Sequence, residues 1–205
     1  MNEGVIKFSC NWIRESPLPK EYIANLNSWR DRLYQEGLIG KNEEGIGYGN
    51  ISCRYERNIF IITGSGTGSL KTLDAKHYTK VTAYHFIENS LTTAGPVKAS
   101  SESLTHAAIY ESCEEMNAVF HVHNLALWKK LVAQGDATSN KIEYGTPAMA
   151  AEIIRLLGDP HLRKQRILAM GGHEEGILAF GKNEDDAGDV ILKWLDGPPK
   201  GISQF

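Results

Sequence analysis

The sequence predicts a three-layer α/β fold: a mixed or antiparallel sheet covered by helices on both faces. Three observations carry this. Segments with strand and helix periodicity alternate along the chain. Several strand pairs are separated only by hairpin-sized turns, which a purely parallel sheet does not allow. The unbroken run Ile59-Phe60-Ile61-Ile62 suits a strand buried on both sides. At 205 residues the chain fits one domain, 1–205, with a substantial core, and two domains would each be cramped.

Lys20 to Glu36 reads as an amphipathic helix with Tyr22, Ile23, Leu26, Trp29 and Leu33 on one face and Gly37 as its C′ residue. Asn50 to Ile62 reads as a hairpin, Ile51–Tyr55 then Ile59–Ile62, turning at Glu56-Arg57-Asn58. Thr79 to Ile87 alternates like a strand, with Val81, Ala83, His85 and Ile87 on one side. Ser101 is placed to cap a helix from Glu102 to about Glu115. Ala118–His123 is the next strand and Leu125–Val132 the next helix. Thr146 as cap and Pro147 at N1 open a helix that Gly158 ends. Arg166–Met170 and Gly176–Phe180 pair around a Gly171-Gly172-His173 turn. Asn183 caps a last helix with a buried stripe of Val190, Ile191, Trp194 and Leu195.

Composition excludes several function classes. A formal charge of −3 gives no electrostatic reason to expect nucleic acid or an anionic membrane as partner. No stretch reaches the roughly 18 apolar residues of a membrane span, and Met1 to Lys20 lacks the apolar core of a signal peptide. Cys10, Cys53 and Cys113 are odd in number and form no Cys-x-x-Cys, so no disulfide framework is expected. The expectation is a protein of the reducing cytoplasm.

The sharpest local signal is His121-Val122-His123. Side chains alternate along a strand, so the two histidines share a face while Ala118, Phe120 and Val122 turn to the other. Two imidazoles so placed can ligate one cation, or they can be solvent-facing residues at a strand end; two ligands are one short of a site. His173 is the candidate third. The glycines before it permit close backbone approach and positive φ, although alone it also reads as a surface turn histidine. Three imidazoles with an open position make a catalytic type of metal site. His77, His85, His106 and His161 lack such spacing and read as structural or surface groups.

Glu102 follows Lys98-Ala99-Ser100-Ser101 at a helix start, where unpaired amides and the dipole favour an anion. The loop Thr63-Gly64-Ser65-Gly66-Thr67-Gly68 can cradle phosphate but lacks the Gly-Lys-Ser/Thr of a P-loop and the Rossmann spacing. Helix capping and an ordinary turn remain the plainer readings of these two segments taken singly.

In order and spacing the pieces resemble the class II aldolase/adducin family. They are Gly49-Asn50-Ile51-Ser52, Ile62-Thr63-Gly64, Ser100-Ser101-Glu102, His121-Val122-His123, Tyr144-Gly145-Thr146 and the late His173, and the resemblance runs from about Leu26 to Leu195. It implies a central, largely antiparallel sheet between helical layers, assembled as a homotetramer with sites at subunit interfaces. It also implies a divalent cation, Zn²⁺ first, on His121, His123 and His173, with Glu102 as catalytic acid/base. A substrate phosphate would be held by Asn50, Thr63, Gly64, Ser100 and Ser101. The implied activity is a lyase (aldolase) cleaving a phosphorylated sugar through a metal-stabilised enediolate. The alternatives are a dehydratase or 4-epimerase using the same site on a ketose phosphate, and a non-catalytic adducin-like binding module.

Two features depart from the family pattern. Glu174 and Glu175 stand between His173 and Gly176, where the family has His-Gly in sequence. At least one carboxylate is therefore expected close to the cation, a solvent-facing charged turn being the alternative. The family's aldolases also borrow a tyrosine from a neighbour's C-terminal region, and Gly197 to Phe205 contains none.

Overall fold

The computed structural model describes residues 6–197, and the tail from Pro198 to Phe205 lies outside them. Its strands are β1 (Ser9–Arg14), β2 (Gly40–Lys41), β3 (Gly47–Tyr48), β4 (Asn50–Glu56), β5 (Ile59–Thr63), β6 (Tyr78–His85), β7 (Ser90–Gly95), β8 (Ala118–His123), β9 (Ile167–Ala169) and β10 (Gly176–Gly181). The helices are α1 (Ala24–Gln35), α2 (Ser103–Ser112), α3 (Leu125–Gln134), α4 (Pro147–Leu156), α5 (Pro160–Gln165) and α6 (Glu184–Leu195). Eight strands form one sheet in the order β1-β7-β6-β5-β4-β8-β10-β9, and β2 and β3 form a separate ribbon. Every pairing in the large sheet is antiparallel except β1 with β7.

The sheet separates two apolar cores, as the alternation of strand side chains requires. On one face Phe60, Ile62, Val119, Leu178 and Phe180 pack with α2, α4 and α5 through Leu104, Ala108, Met149, Ile153 and Leu162. On the other, Ile51, Ile61, Phe120, Val122, Ile177 and Ala179 meet α1, α3 and α6 through Leu26, Trp29, Leu33, Leu127, Leu131 and Ile191. The expected three layers are present. Ile59-Phe60-Ile61-Ile62 is the doubly covered strand: Phe60 and Ile62 enter one core and Ile61 the other.

Several boundaries differ from the sequence reading. Lys20–Tyr22 is a 3₁₀ turn, so α1 starts after Ile23 and Tyr22 lies exposed against the ring of Tyr55, off the buried face. Arg30 occupies the buried face instead. In β6 a bulge between Val81 and Ala83 reverses the alternation. Val81 therefore shares its core with Tyr84 and Phe86, while Ala83, His85 and Ile87 are exposed. In α6, Ala187, Gly188, Val190 and Ile191 are buried, and Trp194 and Leu195 are only half-covered as the helix leaves the sheet. β1, β7 and α5 had no clear signal: β1 is a largely exposed edge strand, β7 is Ser/Thr-rich and α5 has six residues. The expected caps Thr146 and Asn183 accept from Met149 N and Asp186 N.

Gly181 ends β10 where α6 folds back over it, and a Cβ there would lie 2.3 Å from the backbone nitrogen of Ala187. Backbone cannot step aside as a side-chain tip can. Gly181→Ala is expected to lower unfolding stability by about 1–3 kcal/mol, the usual cost of overpacking. A denaturant midpoint equal to wild type would show that α6 is free to slide over the sheet.

Candidate metal centre and cleft

β8 lies between β4 and β10, and the register sets what faces its histidines. Asn50 is opposite His121 on one side, while Leu178 is opposite His121 and Gly176 opposite His123 on the other. All six β8 residues are buried, so the histidines do not end in solvent. His173 comes from the turn between β9 and β10, which closes on itself through His173 N to Met170 O (3.0 Å) and Gly176 N to His173 O (2.9 Å). Gly171 and Gly172 do not use positive φ as the sequence suggested. They serve close approach: a Cβ on them would lie 2.1 Å from Thr138 O and 2.0 Å from Ile142 O.

The three imidazoles converge. His123 Nε2 lies 3.3 Å from His121 Nε2 and 3.1 Å from His173 Nε2. A tetrahedral ion with Zn–N bonds of about 2.0–2.1 Å sets its nitrogens roughly 3.3 Å apart, so the spacing fits. His121 Nδ1 is 3.2 Å from the Ile177 carbonyl; donating there leaves the Nε2 lone pair directed at the common focus. One N–H serves only one of the two contacts at His123 Nε2, whereas a single cation satisfies all three lone pairs. Among the described residues these histidines form the one group suited to hold a metal ion.

Burial keeps the imidazoles neutral. It drives His121 well below its ordinary 6.5, helped by the charges His123 and His173 would carry. Burial, with His173 second, takes His123 to about 3. Burial, with the Lys7 ammonium second, takes His173 to about 4. Neutral imidazole is the ligating form. Tyr48 stacks on His123 with centroids 4.8 Å apart, and Tyr144 lies 4.8 Å from His173 on the other side. Of the two inserted glutamates, Glu174 is exposed, whereas Glu175 Oε2 comes within 3.9 Å of His123 Nδ1.

A narrow cleft opens beside the histidines. Of the residues expected there, Asn50, Gly64, Ser100, Ser101, Glu102, His121 and His173 line it. Thr63 is set back, its Oγ1 accepting from Ile51 N at 3.2 Å, and His123 lies behind the wall. Asn50 Oδ1 is buried with no hydrogen-bond partner among the described residues, as a ligand-facing atom would be. Glu102 is only 3% exposed and accepts from Thr105 Oγ1 at 3.0 Å. It occupies the cap position of α2 itself, so Ser101 is not the cap; Ser100 Oγ takes Glu102 N at 3.3 Å and leaves Ser101 on the cleft wall. One turn along α2, His106 Nδ1 meets Ser52 Oγ at 2.7 Å and Tyr110 Oη meets it at 2.8 Å, which pins the helix to β4. His106 is thus a buried structural group, while His77, His85 and His161 are not fully buried.

Sequence reasoning gave no site role to Gly47, Tyr48, Gly49 and Tyr144, which also line the cleft. Tyr144 stood inside a motif already noted; Tyr48 directly precedes Gly49-Asn50, and only the tertiary fold turns its ring onto His123.

Comparison with known proteins follows the same line. Residues 38–193 match the family model described as the class II aldolase and adducin N-terminal domain. No curated protein matches the sequence significantly. Among solved structures, a sugar-phosphate aldolase from Thermotoga maritima superposes with a TM-score of 0.66 at 16% identity, covering 86% of this chain and 91% of that one. L-fuculose-1-phosphate aldolase from Thermus thermophilus gives 0.57 at 20% identity, covering 91% and 100%. YgbL from Escherichia coli, described as a candidate aldolase/epimerase/decarboxylase, gives 0.61 at 19%, covering 91% and 94%. At such identities the likeness establishes the shared fold.

Two outcomes are expected. In Gly176→Ala the new Cβ would lie 2.4 Å from His173 Cδ2 and 3.1 Å from His121 Cε1. Metal affinity, read by chelator competition, should fall roughly 10–100-fold, as when groups supporting metal ligands are altered; wild-type affinity would place the ion elsewhere. The second concerns pH. His106 and His123 at about 3 and His173 at about 4 are neutral when folded, whereas unfolded they titrate near 6.5. Their stability contribution is complete above that value and is lost as pH falls toward 4 and 3, at up to about 1.4 kcal/mol per pH unit for each group. For metal-free protein, equal urea midpoints at pH 7 and pH 4.5 would contradict this.

Proposed function

We propose that this chain, which belongs to the class II aldolase and adducin family, is a metal-dependent lyase that cleaves a carbon–carbon bond in a phosphorylated sugar. The observation that carries the reading is the convergence of His121, His123 and His173 beside a cleft that Glu102 also lines. Zn²⁺ is the proposed ion, since three imidazoles at tetrahedral spacing leave one position open for substrate. Once bound, the ion supplies Lewis-acid polarisation of the substrate carbonyl.

The other steps belong to the chain's own residues. Asn50, Gly64, Ser100 and Ser101 receive the phosphate, with Thr63 supporting them by holding the Ile51 amide. Glu102 moves the proton at the carbon released by bond cleavage, and the Thr105 hydroxyl fixes the orientation of its carboxylate. Tyr144, with its ring against His173 in the same cleft, is the group placed to accept, as its phenolate, the proton that the substrate hydroxyl loses as it becomes the aldehyde carbonyl. A homotetramer in the cytoplasm, built from one domain over 1–205, completes the proposal.

A second reading, a dehydratase or 4-epimerase acting on a ketose phosphate, uses the same residues; the likeness to YgbL favours keeping it. A purely binding, adducin-like module has no use for three converged imidazoles and a buried carboxylate in one cleft.

The test is to purify the protein, measure its metal content and screen phosphorylated sugars for aldehyde release. Glu102→Gln should keep about one ion per chain and lose turnover by roughly 10²–10⁴-fold. Should the variant lose the metal yet keep its rate per bound ion, Glu102 is a ligand and not the acid/base.

A further inference from the structure

Arg30 is a charged side chain where the α1 pattern calls for an apolar one. It shares the buried face with Leu26, Trp29 and Leu33 and is only 1% exposed. Burying a guanidinium is costly unless its donors are used, and here they are used on backbone. Nη1 donates to Lys71 O at 2.9 Å, and Nη2 donates to Thr67 O at 3.1 Å, to Gly68 O at 3.3 Å and to Leu70 O. The nearby carboxylate, Asp31, is 3.6 Å away, and the Tyr34 ring covers one face of the group.

These carbonyls belong to the chain that continues the glycine-rich loop. Two of the loop's carbonyls are also engaged: Gly64 O accepts from Thr67 N and Oγ1, and Gly66 O accepts from Ser69 Oγ. In a trans peptide the N–H points opposite to the C=O. The N–H groups of Gly68 and Ser69 therefore lie on the side away from Arg30. Of the residues 64–68 that line the cleft, Gly64 and Ser65 spend their N–H groups on His77 O (2.8 Å) and Lys98 O (2.9 Å), which leaves the Gly66 and Gly68 amides for a ligand, with a fixed positive charge behind them. Such a lining suits an anion.

We propose that Arg30 is a positioning residue: by holding the carbonyls of Thr67, Gly68, Leu70 and Lys71, it shapes the loop at Gly64–Gly68 into the cradle for the substrate's phosphate. This rests on the reading of the cleft as a phosphate site. Arg30 touches no substrate and acts through the loop alone.

The test uses metal-loaded full-length protein and inorganic phosphate as probe. Phosphate should slow amide exchange in the 64–69 segment of the wild type. Arg30→Gln should keep the metal content and bind phosphate roughly 10–100-fold more weakly, the equivalent of one or two lost charge-assisted hydrogen bonds. Arg30→Lys, which restores the charge without the fork, should recover part of that loss. A purely structural Arg30 would lower the melting temperature of both variants and leave the phosphate affinity of the folded fraction unchanged, which overturns the proposal. If either variant fails to fold, the wild-type exchange decides: protection elsewhere in the cleft but not at 64–69 also overturns it. If the loaded wild type binds no phosphate, the reading of the cleft falls first, an outcome distinct from the other two.

Discussion

Gly176 faces His123 across the β8–β10 ladder, and only a hydrogen fits between its backbone and the rings of His173 and His121. The site depends on this contact. The antiparallel register places the two strand histidines over the start of β10, and the turn before Gly176 then delivers the third imidazole from the same strand. A slip of one residue would send His121 and His123 to the opposite face, into the core of Phe120 and Val122. β4, on the other flank, sets Asn50 opposite His121 by the same logic. The converging histidines and the cleft wall are therefore products of one three-strand register, which the two apolar cores hold from either side.

α2 completes the arrangement by a separate device. Its buried residues would permit some sliding over the sheet, since apolar contacts are non-directional. The bonds of His106 and Tyr110 to Ser52 remove that freedom, because a 2.7 Å contact tolerates little displacement. Glu102, one turn before His106, is thereby fixed relative to β4 and to the histidines of β8. Ser52 belongs to the motif that contains Asn50, so one short strand anchors both α2 and the cleft wall.

How much of this the sequence disclosed depends on whether a feature is local. The His-x-His face, the hairpin at Glu56-Arg57-Asn58, the doubly buried β5 and the caps Thr146 and Asn183 follow from chain geometry, and all are present. The bulge in β6 was not legible, because period-two alternation says nothing of an inserted residue until a partner strand is known. Edge strand β1 gave no signal because solvent takes one of its faces and most of its side chains. Tyr48, Tyr144 and Arg30 escaped for another reason: each acts on residues distant in sequence, and its local pattern reads as a turn or a helix face. Ser101 was misassigned by one step. A Ser-Ser-Glu run offers two serines to one helix start, yet the cap position falls on Glu102, whose N–H goes to Ser100 Oγ.

The inserted glutamates show how a local departure from the family pattern becomes structure. Glu175 adopts φ of +70°, a conformation that costs a non-glycine residue of order 1–3 kcal/mol. Such a conformation persists only where surrounding contacts over-determine it. Here there are two. The Glu175 carbonyl accepts from Asn124 N at 3.0 Å, and Asn124 in turn caps α3 through Leu127 N. The Glu175 carboxylate meanwhile stands 3.9 Å from His123 Nδ1, on the ring edge remote from Nε2, the nitrogen that faces the other two histidines. The strained residue thus joins the turn that carries the third histidine to the helix that follows the first two. A glycine would relieve the strain and lose the carboxylate. What distinguishes this chain at that point is therefore a carboxylate 3.9 Å from His123 Nδ1, carried on a turn that is tied to the cap of α3.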